Sequence, residues 1–376
     1  MVEALSKLVA QGTNDYKIAE ILIERFDCTF TRDSVKNKRT RLLKTKPTAR
    51  DIVERERSRQ DNLEENKASR TLAKELIKKD KELQVVLEMK SSPQTYRIIP
   101  KKHGKVQAAA IIVASDWHIE ETVKLGTVSG MNEFNEKIAD ERIQKFFNNS
   151  IELLGITGST TDINKVVIAA LGDFISGSIH EELMEGNWCL PIEAIIWVQQ
   201  RIIAGFKAYL ERTDYEFVVV CHAGNHSRIT KKKHIGTQVG NSLETLMYYH
   251  IQQHFKDEPR MKFIIAEGYL TFLELGDKVI RFHHGDGFRY NGGVGDIYPA
   301  AIRWIGKSNS SRHADYDVFG HHHGYRNGGN FTCNDSLIGY TAYAAERGFP
   351  FRRPAQRFFL YTTRGEEIAS YPIFLD

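Results

Sequence analysis

From residue 106 onward two hydrophobic periods alternate along the chain. Apolar runs at 108–115, 166–171, 218–221, 279–282 and 318–319 are short and end in polar turns, which predicts buried strands. Between them, apolar residues recur at helical spacing over 133–154, 191–212 and 240–255, which predicts amphipathic helices. Strands separated by long helices indicate an α/β domain. Residues 96–100 are read as an added edge strand. The aromatic-rich stretches 349–361 and 371–374 are read as closing strands, with Phe358 and Phe359 partly in the core.

Upstream the period is helical. Leu5, Leu8 and Val9 form one apolar face, and Ile18, Ala19, Ile21, Leu22, Ile23 and Phe26 form another. Thr31 is placed to cap a third helix, 32–43, that buries Val35 and Leu42. Its other face carries Lys36, Asn37, Lys38, Arg39 and Arg41. Residues 1–45 therefore resemble a helix-turn-helix domain, with the third helix reading a DNA groove and its cations neutralising phosphates. The competing reading of those cations is a solvated helix face. Residues 46–105 alternate in charge and contain few aromatics, as expected of an exposed helix or pair of helices serving as a linker. Leu63, Leu72, Leu76, Ile77, Leu83 and Leu87 could form a narrow seam, so a homodimer through the 50–90 segment is one expectation and a plain tether the other.

Chemistry collects where the strands stop. The first run ends in Asp116-Trp117-His118, the second in Gly172-Asp173, the third in Gly224-Asn225-His226, the fourth in His283-His284-Gly285-Asp286 and the fifth in Gly320-His321-His322-His323. Packing alone does not explain five apolar strands that each deliver a ligand-type side chain to the carboxyl end, where α/β sheets place their sites. A pair of divalent cations ~3.5–4 Å apart needs a shared carboxylate, imidazole and oxygen donors, and open positions. Asp116 and His118, two apart on an extended segment, are expected to point to one side, and His321 and His323 repeat the spacing. Imidazole with carboxylate suits Mn, Fe, Ni or Zn, with Mg also allowed, rather than Ca.

Composition changes the picture little. In 376 residues with net charge +4, no apolar run approaches the ~20 residues of a membrane helix. No secretory leader is expected at residues 1–12. Four scattered cysteines suggest reduced thiols, and the expected location is the cytoplasm.

The ordered set Asp-x-His, Gly-Asp, Gly-Asn-His, His-Gly and Gly-His-x-His resembles that of the calcineurin-like metallophosphoesterases, over about residues 108–370. With the helix-turn-helix-like head, it further resembles phage-type members and the DNA-repair exonuclease branch. The resemblance implies a two-sheet sandwich flanked by helices over 106–376, preceded by the small all-α domain. It implies two divalent cations, Mn first among them. Asp116, His118 and His323 would hold one, Asn225, His284 and His321 the other, and Asp173 would bridge both. His226 would bind no metal and would act at the leaving oxygen. The implied reaction is in-line attack of a bridging hydroxide on a phosphodiester, with DNA as the expected substrate and partner. The alternative is a nucleotide or small-molecule phosphodiesterase or phosphatase that uses its head for targeting. Arg228, Lys231 and Lys232, just after the Gly-Asn-His turn, are candidate contacts to a nucleic-acid backbone, and His180 is a candidate substrate contact. The family usually has an acidic residue after Gly-Asn-His; this chain has Ser227 and Arg228. His283 and His322 are read as packing residues.

Overall fold

The computed structural model describes residues 2–26, 31–42, 49–89, 96–98, 106–179, 181–289 and 295–376. It divides into two compact units, Met1–Ser92 and Pro93–Asp376.

The described elements of the first unit are helices: α1 (Val2–Ala10), α2 (Asp15–Phe26), α3 (Arg32–Leu42) and α4 (Ala49–Met89). Asn14 Oδ1 accepts the Lys17 amide at 2.9 Å and starts α2. Thr31 Oγ1 accepts the Ser34 amide at 3.3 Å and starts α3, a capping arrangement worth ~1 kcal/mol. Leu5, Val9, Ile18, Ala19, Leu22 and Val35 form the small core of α1–α3, and the side chain of Leu42 lies outside the described residues. Lys36, Asn37, Lys38 and Arg41 are exposed on α3, whereas Arg39 donates to Asp15 of α2 at 2.9 Å. The α4 segment is one unbroken helix of 41 residues, about 60 Å long. Leu63, Leu72, Leu76 and Ile77 are all exposed along it, and the side chains of Leu83 and Leu87 lie outside the described residues.

In the second unit the described strands are β1 (Tyr96–Ile98), β2 (Gln107–Ala114), β3 (Asp162–Ala170), β4 (Glu216–Cys221), β5 (Met261–Ile265), β6 (Thr271–Leu275), β7 (Lys278–Phe282), β8 (Tyr316–Phe319), β9 (Arg326–Asn327), β10 (Phe331–Cys333), β11 (Ala355–Thr362) and β12 (Glu367–Phe374). The helices are α5 (Glu136–Thr160), α6 (Glu181–Gly186), α7 (Pro191–Arg212), α8 (Leu243–His254), α9 (Tyr298–Asn309) and α10 (Ala342–Glu346). Two six-stranded sheets result, ordered β12-β11-β2-β3-β4-β5 and β1-β6-β7-β8-β10-β9. In the first sheet β2 to β5 run parallel, and β11 and β12 add antiparallel to the β2 edge. In the second, β7, β8 and β10 run parallel and β6 pairs antiparallel with β7.

The unbroken apolar character of β2 follows from burial on both faces. Ala109, Ile111 and Val113 pack with Val167, Val220, Leu273, Ile280, Phe282, Val318 and Phe359 between the two sheets. The alternate residues Ala108, Ala110, Ile112 and Ala114 pack with Phe146, Phe147, Ile202, Phe206 and Met247 of α5, α7 and α8. On the far side, Ala301 and Ile305 of α9 cover Phe319 and Phe331. Helices thus flank a two-sheet sandwich. Phe358 and Phe359 are fully buried rather than partly so, because β11 lies between β2 and β12. In the second sheet Arg281 and Asp317, both fully buried, form a two-pronged pair at 2.6 and 2.9 Å. Among the described residues no helix is long and apolar enough to cross a membrane.

A candidate metal centre

The carboxyl ends of β2, β3, β4, β7 and β8 meet, and backbone hydrogen bonds stitch their turns together. Asp116 N donates to Gly172 O at 2.9 Å, and the Trp117 and His118 amides both donate to Asp173 O, at 2.8 and 3.1 Å. Gly320 N donates to His284 O at 2.8 Å. The His321 amide donates to the Asp116 carboxylate, at 3.0 and 2.9 Å to its two oxygens. The His226 amide donates to Asp173 Oδ1 at 2.8 Å.

These turns are not extended. Among the described non-glycine residues, seven have left-handed φ; five of them are Asp116 (56°), His118 (46°), Asp173 (54°), His321 (67°) and His323 (41°). The expectation that Asp116 and His118 converge by lying two apart on a strand is therefore corrected. They converge because each sits at a left-handed kink. Such positions cost ~1–3 kcal/mol each and persist where the surroundings over-determine them. Clustering at candidate ligands marks the strain as part of the site.

Two groups of donor atoms result, each with its atoms within 4.8 Å of one another: Asp116, His118 and His323, and Asp173, His284 and His321. In the first, His118 Nε2 lies 3.2 Å from His323 Nε2, and His323 Nε2 lies 3.4 Å from Asp116 Oδ1. In the second, His284 Nε2 lies 2.9 Å from Asp173 Oδ2 and 3.1 Å from Asn225 Oδ1, so Asn225 joins this group through its oxygen. The outer nitrogens are spoken for. His284 Nδ1 faces Leu171 O at 2.7 Å, and a carbonyl accepts only from a protonated nitrogen, so Nε2 is the atom that would meet a cation, in place of its proton. His118 Nδ1 meets Ser176 Oγ at 2.7 Å, and Glu121 contacts the same hydroxyl.

Electrostatics fit a cation site. Burial opposes ionisation of Asp173, yet the nearby histidines, His284 first, hold its carboxyl well below the usual range. Burial likewise opposes a charge on His284, and Asp173 overrides it and pushes His284 up to about 10. His118 is held well below the ordinary imidazole value by burial and by His226 and His323, and His321 is pushed down to about 4 by burial and His284. The buried carboxylates thus draw positive charge while these two imidazoles stay neutral, the form that ligates. With imidazole, carboxylate and amide oxygen as donors, the residues fit divalent cations.

His226 stands beside this centre. Its ring centroid is 4.8 Å from that of His118, edge to face, and Nδ1 faces Ser176 O at 3.1 Å. Sequence reasoning missed Glu244. This fully buried carboxylate accepts from Phe174 N at 2.6 Å, Gly224 N at 2.8 Å and Ser227 Oγ at 3.0 Å, clamping the Gly-Asp turn to the Gly-Asn-His turn. An acid in the first turn of a helix reads as an exposed dipole partner, so nothing local marked it.

The remaining candidates are placed differently. His180 lies outside the described residues. Arg228 turns inward, donating Nη1 to Asn225 O at 2.5 Å and Nε to Thr230 O at 3.2 Å, so it braces the turn. Lys231 and Lys232 are exposed, while Lys233 pairs with Asp286. His283 packs against Trp304 and Phe319, and His322 stacks on Phe288. Asn334 reaches Ser115 Oγ at 2.9 Å behind Asp116. Cys189, Cys221 and Cys333 are free thiols, and Cys28 lies outside the described residues.

No family model matches the chain, and no curated protein matches it. Among solved structures it is similar to the hypothetical protein PH1004 from Pyrococcus horikoshii OT3, with 11% identity over 72% of this chain and 89% of that one, at a TM-score of 0.30. It is also similar to Vps29 from Chaetomium thermophilum, with 10% identity over 70% and 95% of the two chains, at a TM-score of 0.25. Neither likeness bears on activity.

Proposed function

We propose that the second unit is a metal-dependent phosphoesterase, that it cleaves phosphodiesters, and that DNA is its substrate. The observation that carries this is the pair of abutting Asp/His groups, with His226 beside them on the same turn as Asn225. When bound, two cations supply charge neutralisation for phosphate oxygens and lower the pKa of water. The chain's own residues do the rest. Asp116, His118 and His323 would hold one cation, and Asn225, His284 and His321 the other, with Asp173 proposed to serve both. Asp173 Oδ1 also fixes the His226 backbone, which sets the imidazole relative to the centre. Ser176 O orients the ring through Nδ1, and Nε2 is then the atom that exchanges a proton with the leaving oxygen. DNA is favoured over a small ester by the helical head, whose α3 exposes Lys36, Asn37, Lys38 and Arg41. The exposed leucines of α4 suit a homodimer.

The test uses the full chain with Mn on three substrates: bis(p-nitrophenyl) phosphate, plasmid DNA and end-labelled duplex. Cleavage of all three is expected. Hydrolysis of the small ester alone would favour the nucleotide or small-molecule reading, and inactivity with Mn, Fe, Ni, Zn and Mg would overturn the assignment. His226→Ala is expected to keep its metal content and lose roughly 10²–10⁴-fold in turnover; a rate near wild type would remove His226 from the chemistry. Lys36→Glu/Arg41→Glu is expected to weaken duplex binding and flatten its salt dependence while sparing the small ester.

A further inference from the structure

We propose that the rim segment 340–353 is a stacking surface for unpaired bases of the nucleic-acid strand whose phosphodiester lies at the metal centre. The proposal rests on the phosphodiesterase reading above.

The stretch that leads into the segment is joined to the centre. Leu337 N donates to Asp116 O at 3.0 Å, so the approach to the rim starts on a candidate ligand. Arg142, buried, donates to Leu337 O and Ile338 O at 2.8 and 2.7 Å. Asn132 donates to Ile338 O and Tyr340 O at 2.9 and 2.8 Å. Further along, Arg352 Nη1 reaches Tyr325 O at 3.4 Å, two residues beyond His323.

Above that base stand two edge-to-face aromatic pairs, Tyr340 with Phe351 and Tyr343 with Phe349, with centroids 5.9 and 6.3 Å apart. Tyr343, Phe349 and Phe351 keep 60%, 45% and 42% of their surface in solvent, although the aromatics next along, in β11, are fully buried. The Arg347 guanidinium lies 5.3 Å from the Tyr343 ring centre. Three arginines against one glutamate make 340–353 cationic. Exposed rings with arginines among them suit a polyanion that carries flat π faces. Bases stack on the rings whatever their sequence, and phosphates meet the guanidinium groups. Arg353 is taken by Asp376, which leaves Arg347 and Arg352 as the cations on this surface.

The test measures binding of a fluorescent oligo(dT) single strand to the full chain in EDTA, so that no turnover intervenes. Tyr343→Ala/Phe349→Ala is expected to bind at least about tenfold more weakly, and Tyr343→Phe/Phe349→Tyr to bind like wild type. Photo-crosslinking of a strand carrying 5-iododeoxyuridine is expected to label peptide 340–353, separating this surface from any contact made by the helical head. Unchanged affinity with crosslinks confined to other peptides overturns the proposal. So does a concentration-dependent dimer that the alanine pair abolishes, because the surface would then serve self-association. Hydrolysis of bis(p-nitrophenyl) phosphate separates the two failures. Intact hydrolysis without strand binding sinks only this proposal. Strand binding lost in the alanine pair, with no hydrolysis under any metal, sinks the phosphodiesterase reading and leaves a binding surface.

Discussion

Asp173→Ala is expected to bring bound metal from two equivalents to less than one and to abolish turnover. Both effects come from one carboxylate. Its Oδ2 lies 2.9 Å from His284 Nε2 in one donor group, and its negative charge also acts on His118 and His323 of the other. Loss of the side chain also frees the His226 amide from Oδ1 and removes the charge that overrides burial at His284. The loss of activity should exceed the ~10–100-fold typical of deleting an outer-shell partner. Metal content after gel filtration, measured by mass spectrometry, checks it. Two equivalents retained in the variant would refute the shared role of Asp173.

Gly172→Ala carries the second large effect, on folding. The Gly172-Asp173 and Ala223-Gly224 turns pack backbone on backbone. A methyl group at Gly172 would lie 2.1 Å from Gly224 N, and φ there is +90°. Backbone cannot rotate away as a side chain can. Overpacking and the left-handed penalty together predict a loss of about 3 kcal/mol or more. Thermal unfolding checks this, with Gly155→Ala as the control, because a methyl there meets nothing within 4 Å and the residue lies inside α5. Equal melting temperatures for the two variants would mean that the turns are not interlocked as described.

Much of the site was legible because its donors sit where apolar runs stop, and a run of β-branched residues such as Val218, Val219 and Val220 is a strong local signal. Helix α7 matches its predicted span for a similar reason: Pro191 opens it and an apolar stripe runs its length. What escaped depends on tertiary neighbours. Glu244 looks like an ordinary first-turn acid until Gly224 and Phe174 arrive from other strands. The φ of Asp116 is set by the amides and carbonyls of the β3 turn, not by its own sequence. Arg228 reads by charge as a side chain open to solvent, but its Nη1 and Nε donate to the Asn225 and Thr230 carbonyls. The aromatics of 349–361 look alike on paper, yet Phe349 and Phe351 precede β11 and remain exposed while Phe358 and Phe359 enter it and are buried.

The hydrogen bonds that join the ligand turns run between main-chain groups and do not use the ligating side-chain atoms. Main-chain groups of Asp116, Gly172, Asp173, His284 and Gly320 hold the kinks in place. Chelation should therefore yield a folded apoprotein with its far-ultraviolet dichroism unchanged, unlike small domains that collapse without zinc. The same preparation could then be recharged with one transition metal after another, and the ranking of rates would report the native ion without confusing metal preference with refolding yield.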